Sequence, residues 1–278
     1  MNYKLVEIEV LNEDFIDIFV AELSAIEFEG FEESSQKVIA YIPENLLDLD
    51  DLRDVIHKYS KMAKAKLVSV KDLEDKNWNE LWESNFKAVC IDDKIIVKAP
   101  FHKTNKVYPF TITIEPKMSF GTGHHETTAL VLGQMLEIDF TDKSVFDYGS
   151  GTGILSIMAS KLNAKEIFAI DIDNWAYVNS KENFELNKVG NVVVKKGTIV
   201  EAANKKFEIV LANINRNVIL ETFDALVACL SDSAKVLFSG LLSEDFEIVN
   251  EMATKHKMKL FSKKEHNNWI VLHYDRVV

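Results

Sequence analysis

The stretch Val145-Phe-Asp-Tyr-Gly-Ser-Gly-Thr-Gly153 constrains this chain more than any other. An apolar run enters a turn with glycine at every second place, and Ile154-Leu-Ser-Ile-Met-Ala-Ser-Lys161 leaves it in a helical pattern. Glycine lacks a Cβ, so the backbone can take positive φ and come close to a ligand. A second apolar run, 166–170, ends on Asp171, which lies 22 residues after Gly149. A glycine turn after one strand, with a carboxylate at the tip of the next, is how a doubly wound sheet holds a ribose.

From about residue 124 strands and helices alternate. The periodicity predicts helices over 125–137, 154–162, 174–188, 217–230 and 244–257, with Gly190 closing the third as a C-cap. Strands are predicted over 144–147, 166–170, 192–195, 207–212 and 235–238, followed by an antiparallel pair, 258–262 and 269–274. Such alternation gives an α/β, Rossmann-like fold: a mostly parallel sheet covered on both faces, here finished by terminal antiparallel strands.

The first seventy residues read differently. Tyr3–Val10 alternates as a strand, and Asn12 caps a helix carrying Phe15, Ile18, Phe19 and Leu23. Segments 28–34 and 37–42 read as strands. Pro43 opens a second helix with Leu47, Leu52, Val55, Ile56 and Tyr59 on its apolar face, and 65–70 is a last strand. The order β-α-β-β-α-β is the split unit of a small α+β, ferredoxin-like domain. It offers no cluster of catalytic residue types and reads as a docking module. Residues 71–87 read as a polar helical connector whose Trp78, Trp82 and Phe86 share one face and pack helix to domain. Segments 94–98 and 110–115 read as a hairpin pair. Three parts are therefore expected: 1–70, a helical linker over 71–90, and a catalytic domain over 91–278.

Composition sets the outer bounds. At 47% hydrophobic, 278 residues can bury a full core, and a net charge of −12 argues against non-specific nucleic-acid binding. Residues 1–70 hold 15 acidic against 7 basic side chains, two thirds of the whole excess. That surface is either a solvated face or one suited to a basic protein partner. Cys90 and Cys229 stand far apart in apolar contexts, as buried thiols of a reducing compartment do. Neither a signal core at Met1–Glu7 nor an apolar run of membrane length is present, so a soluble, cytoplasmic protein without membrane contact is expected.

The chemistry-bearing residues cluster at strand ends. The spacing Gly149-x-Gly151-x-Gly153, without the Gly-x-Gly-x-x-Gly of dinucleotide enzymes, favours S-adenosyl-L-methionine over NAD. The three glycines are expected to bring backbone N–H groups and a helix N-terminus to the cofactor's methionine part. Asp171 is expected to accept from the ribose hydroxyls. Asp147 either anchors the loop or meets the cofactor's ammonium through water, Asp173 serves as a helix N-cap, and Gly197-Thr198 passes near the adenine. Asn213 ends the run Phe207–Ala212, where its amide can accept from and orient an amine nucleophile, or form a simple Asx turn. The loop Phe120-Gly-Thr-Gly-His-His-Glu-Thr-Thr128 is small and polar and precedes a helix. No matching Cys/His set makes it a zinc site, so it reads as a loop folding over the cofactor and no metal is expected.

That loop, together with Asp147-Tyr-Gly-Ser-Gly-Thr-Gly-Ile-Leu155, Ile170-Asp-Ile-Asp173, Ala212-Asn-Ile214 and the Trp78/Trp82/Phe86 connector, resembles the methyltransferase family of the eleventh large-subunit ribosomal protein. The likeness runs over essentially the whole chain, and the loop 120–128 is its most specific motif. It implies a class I methyltransferase fold, an N-terminal domain that recognises the ribosomal protein, and methylation of lysine side chains and, in some members, the α-amino group. It also implies that Thr128, Gly149, Asp171 and Asn213 take cofactor-binding places and that Phe120 and His124 sit over cofactor and substrate.

Other functions fit less well. A glutamine- or adenine-directed methyltransferase places Asn/Asp-Pro-Pro-Tyr where this chain has Asn213-Ile-Asn-Arg216. A ribosomal-RNA methyltransferase carries a basic appendage, and this one is acidic. A dehydrogenase needs a hydride-transfer site, for which no candidate is visible. The remaining alternatives are a protein that binds the ribosome or the cofactor without turnover, and a methyltransferase for another protein or RNA substrate.

Overall fold

The structure is a computed structural model that describes residues 3–72, 86–117, 119–123 and 125–277. The expectations for Trp78, Trp82 and His124 lie outside the described residues. Two compact units divide the chain, 1–85 and 86–278. No helix among the described residues is long and apolar enough to cross a membrane.

In the first unit, strands β1 (Tyr3–Val10), β2 (Gly30–Ser34), β3 (Lys37–Pro43) and β4 (Ala65–Asp72) form a wholly antiparallel sheet in the order β2-β3-β1-β4. Helices α1 (Ile16–Ser24) and α2 (Leu49–Ala63) cover one face. Strict alternation aims Val6, Ile8, Val10, Val38, Ala40 and Ile42 at Phe19, Leu23 and Leu52 of those helices. Asn12 caps a short 3₁₀ turn, Glu13–Phe15, that feeds α1. Pro43 does not open α2; it closes β3, and the helix starts six residues later. There the Asp48 carboxylate accepts from the Asp50 and Asp51 N–H groups at 2.8 and 3.3 Å. An acidic cap that satisfies free first-turn donors is a stronger start signal than proline alone.

The second unit holds a seven-stranded sheet, order β10-β9-β8-β11-β12-β14-β13. Its strands are β8 (Ser144–Tyr148), β9 (Glu166–Asp171), β10 (Val192–Lys196), β11 (Phe207–Asn213), β12 (Leu230–Leu242), β13 (Met258–His266) and β14 (Trp269–Arg276). The first five run parallel, and β14 pairs antiparallel with both β12 and β13. Val145 and Phe146, or Ile209 and Val210, enter opposite apolar layers, so a strand buried on both faces reads as an unbroken apolar run. Helices α3 (Glu126–Met135), α4 (Ile154–Lys161), α5 (Asn174–Leu186), α6 (Arg216–Glu221), α7 (Phe223–Ala228) and α8 (Phe246–Lys255) complete the unit.

Several local expectations are corrected. The segment 217–230 is two short helices broken at Thr222, whose Oγ1 donates back to the Val218 carbonyl at 2.7 Å. Gly190 does not cap α5. Lys188 takes the left-handed conformation (φ 56°) instead, and Lys188 and Val189 return their N–H groups to Glu185 and Phe184. This Schellman closure gains its apolar clasp from Phe184 and Val189. Cys229 is buried but Cys90 is exposed, pointing outward from a three-residue strand. Nor do 94–98 and 110–115 pair as a hairpin. Strand β6 (Ile95–Lys98) makes its hairpin with β5 (Val89–Ile91) through residues 92–94, where the Lys94 N–H donates to the Ile91 carbonyl at 3.0 Å and the central Asp92 and Asp93 both take the positive φ such a turn demands. It runs parallel to β7 (Phe110–Thr113).

The free edge of β7 is docked by side-chain amides. Asn187 of the α5 cap accepts from the Thr113 N–H (2.9 Å) and also donates to the Thr113 carbonyl. One turn earlier, Asn183 accepts from the Glu115 N–H (2.8 Å) and donates to the Thr152 carbonyl (2.9 Å) in the glycine turn. Asn179 donates to the Glu115 carbonyl at 3.3 Å. Residues four apart on a helix share a face, so this ladder ties β7 and the glycine turn to one helix side. Asn183 is fully buried. Asn183→Leu leaves the Glu115 N–H and the buried Thr152 carbonyl without their partner and should cost about 2–6 kcal/mol, at about 1–3 kcal/mol each. An unchanged denaturation midpoint would refute this role.

Asp147, at the end of β8, is also fully buried, and its Oδ2 accepts from the Ser156 N–H (3.0 Å) and Oγ (2.6 Å) in the first turn of α4. It anchors the helix that follows the glycine turn. Burial pushes its carboxyl up to about 6, against the two Ser156 hydrogen bonds that favour the charged form. The folded state therefore holds this proton more tightly than the unfolded chain does. Stability is fullest below pH 4 as far as this group is concerned, and is lost as pH rises through about 6. Asp147→Asn keeps an acceptor for Ser156 without the charge. Its stability relative to the parent should improve between pH 4 and 7, by about 3 kcal/mol. Parallel pH–stability curves for the two proteins would contradict it.

Candidate functional site at the carboxyl ends of the parallel strands

The direction of strand order reverses between β8 and β11, and a crevice opens beyond their carboxyl ends, the usual ligand position in an open α/β sheet. A cavity of about 640 Å³ occupies it. Phe120, Gly149, Gly151, Asp171, Gly197, Thr198 and Asn213 of the sequence-derived candidates all line it. Gly153 and Thr128 stand outside its lining. Gly153 is the N-cap of α4, against Phe184, and Thr128 is fully buried in α3 with an unpaired Oγ1.

The turn is held by its own hydrogen bonds. Gly149 and Ser150 N–H groups both reach the Ile170 carbonyl at 2.9 Å. Gly151 N–H donates to Asp171 Oδ2 at 2.8 Å, Thr152 N–H to the Phe120 carbonyl at 2.9 Å, and Gly153 N–H to the Ser150 carbonyl at 2.8 Å. Every N–H from 149 to 153 therefore already has a partner within the protein. What the glycines provide is close approach. At Gly149 (φ 77°) a Cβ would strike Ile214, and at Gly151 (φ 54°) it would strike the Phe120 carbonyl.

Asp171 closes the next turn as well, since its Oδ1 accepts from the Asp173 N–H at 2.9 Å. Each oxygen keeps a further lone pair for a ligand hydroxyl. Asp173 caps α5 through the Trp175 N–H (2.9 Å). The loop 119–123 is pinned to the turn by Thr152, whose Oγ1 donates to the Gly121 carbonyl at 2.7 Å. His125 is the N-cap of α3: its Nδ1 accepts from the Thr127 N–H at 3.3 Å and lies 2.9 Å from Thr127 Oγ1. Asn213 ends β11 with a buried, unpaired Oδ1, and the Ser150 Oγ is likewise buried and unpaired.

Sequence reasoning missed Ile172, Ile214, Val218, Glu221, Gly240 and Trp269, which also line the cavity. Gly240 was within reach of the strand-end rule: it lies on β12 one residue past Ser239, the partner of Asn213, and its φ of 78° lets Ile214 lie against it. No local pattern marks Trp269, which opens β14 after the Asn267-Asn268 turn.

Comparison with known proteins identifies the family. A family model described as ribosomal protein L11 methyltransferase (PrmA) matches residues 11–277. The ribosomal protein L11 methyltransferase of Porphyromonas gingivalis is 38% identical over 268 residues, covering 96% of this chain and 92% of that protein. That of Phocaeicola vulgatus is 37% identical over 265 residues, covering 95% and 94%. In fold, the crystal structure of the ribosomal protein L11 methylase from Lactobacillus delbrueckii subsp. bulgaricus is similar, with a TM-score of 0.65, 24% identity, and coverage of 69% of this chain and all of that one. A match over nearly the full length, with relatives above one third identity, leaves one conclusion: this chain belongs to the ribosomal protein L11 methyltransferase family.

Proposed function

We propose that this chain transfers methyl groups from S-adenosyl-L-methionine to amines of ribosomal protein L11: lysine side chains and the α-amino group. The observation that carries the reading is the cavity at the switch point, with a carboxylate at the tip of β9 and an unsatisfied amide at the tip of β11. Family membership supports the substrate. The residues present fit the cofactor: the crevice is lined by Asp171, whose oxygens keep spare lone pairs, and by Ser150 and Asn213, whose buried polar atoms await partners. Bound there, S-adenosylmethionine supplies a methyl group on a positively charged sulfur.

The protein's part is placement. Gly149 and Gly151 admit the cofactor against the backbone, Asp171 accepts from the ribose, and Ile172 with Gly197-Thr198 flanks the adenine. Thr128 and Gly153 support these groups from behind. An amine attacks only when neutral, and a lysine or N-terminal amine is mostly protonated at neutral pH. Asn213 then accepts one amine N–H and aims the lone pair; a half-turn of its amide exchanges oxygen and nitrogen. The chemistry is orientation and desolvation more than proton abstraction. Phe120 completes the enclosure above the amine. The unit 1–85 serves as the docking domain for the ribosomal protein and the unit 86–278 as the catalytic domain, since 71–72 belong to β4 and 89–90 to β5 and not to a helical linker over 71–90, and the enzyme works in the cytoplasm without nucleic acid or membrane.

Asp171→Ala should weaken S-adenosylmethionine binding by roughly 1–3 kcal/mol, the scale of hydrogen bonds to a charged group. Calorimetry giving the parent affinity would remove Asp171 from the site. Asn213→Ala should lower kcat about 10²-fold, the cost of a misplaced reactant. Single-turnover rates should rise with pH, still climbing above pH 9 for a lysine target and levelling near pH 8 for an α-amino target, following their ordinary pKa values of about 10.4 and 8. A flat profile from pH 7 to 9 would count against an amine nucleophile.

A further inference from the structure

Three rings from three separate elements meet at the cavity: Phe120 from the loop, His125 from the cap of α3, and Trp269 from the start of β14. The Phe120 and His125 ring centroids are 5.2 Å apart with planes tilted 57°, and those of His125 and Trp269 are 4.7 Å apart at 71°. Phe120 is 54% exposed although it is a large apolar ring, so core burial does not account for its place. The wall stands beside Asn213. Asn213 pairs with Ser239, whose hydroxyl lies 3.4 Å from the carbonyls of both Thr127, two residues after His125, and Ile270, next to Trp269. Among the described lining residues none is Lys or Arg, and the charged ones are Asp171 and Glu221. Ring faces attract a cation, and such walls suit quaternary ammonium groups in particular.

Each transfer forms an N–CH₃ bond as the S–CH₃ bond of the cofactor breaks, with the electron pair left on sulfur. The nitrogen emerges as a cation and must release a proton to water before it can accept another methyl. Each added methyl also removes an N–H that Asn213 could hold, and the trimethylated nitrogen has none. Cation–π contact needs no N–H. We propose that Phe120, His125 and Trp269 form a cation-accepting wall that retains the partly methylated ammonium and so sets how many methyl groups the site adds to one nitrogen. This rests on amine methylation as the site's reaction and extends it to the fate of the singly methylated product.

Two readouts test it on the full-length protein. In the first, tetramethylammonium chloride is titrated against the protein without turnover, with tert-butanol as a neutral probe of similar size. The ammonium should bind more tightly than the alcohol, Trp269→Leu should weaken it roughly 2- to 30-fold, the span of a cation–π contact, and Trp269→Phe should restore most of the loss. In the second, mass spectrometry of methylated ribosomal protein L11 should show the Trp269→Leu product shifted from higher to single methylation, the second and third methyls slowing more than the first. If either readout keeps its parent value, the proposal falls. Should Trp269→Leu fail to fold, Phe120→Leu, at an exposed ring, is read in the same two ways. A parent protein that adds no methyl group at all overturns the methyl-transfer reading together with this one, whereas methyl transfer with Trp269-independent products overturns this inference alone.

Discussion

The carboxylate of Asp171 is the joint on which the site depends. One oxygen holds the Gly151 N–H and the other the Asp173 N–H, so the ends of two neighbouring parallel strands are tied by a single side chain. Parallel strands end in turns that cannot pair with each other, and each turn exposes backbone groups that need partners. Here the Ile170 carbonyl and the Asp171 carboxylate satisfy three consecutive donors of the glycine turn. The turn is rigid before any ligand arrives, which is the condition for positioning chemistry.

The rigidity extends outward along named links. Thr152 carries the turn to the loop 119–123 through its N–H and hydroxyl. Asn183 carries it to helix α5 and the edge of β7. Asp147 carries it to α4, at the cost of a buried carboxyl held above its ordinary range. Helix, loop and small sheet are thus braced on five residues of backbone whose own side chains are mostly absent.

Much of this was legible in the residues themselves. Alternating apolar runs and helical periods located the parallel strands, because a strand buried on both faces has no polar alternation to confuse it. The Asp173 cap and the positive-φ turn at 149–153 followed from residue type alone. What stayed hidden depends on chain segments far apart. The parallel pairing of β6 with β7 cannot be read from spacing, since hairpin and crossover both accept eleven intervening residues. The Schellman end at Lys188 puts a left-handed residue where glycine two places on was the obvious choice; the Phe184–Val189 contact decided it. His125 and Trp269 are 144 positions apart, and nothing local in either sequence neighbourhood announces the other.

That last separation bears on the order in which the protein can become competent. β14 enters the sheet between β12 and β13, as its last strand in chain order, and Trp269 is its first residue. During synthesis from the N-terminus, the glycine turn, Asp171 and Asn213 all emerge before it. A nascent chain can assemble the parallel strands and the crevice at their carboxyl ends while the third ring of the cavity is still missing. Such a chain also leaves the β12 edge unpaired, an exposed template for other strands. Insertion of β14 therefore closes the sheet edge and furnishes the third ring in one event, coupling protection from aggregation to completion of the site.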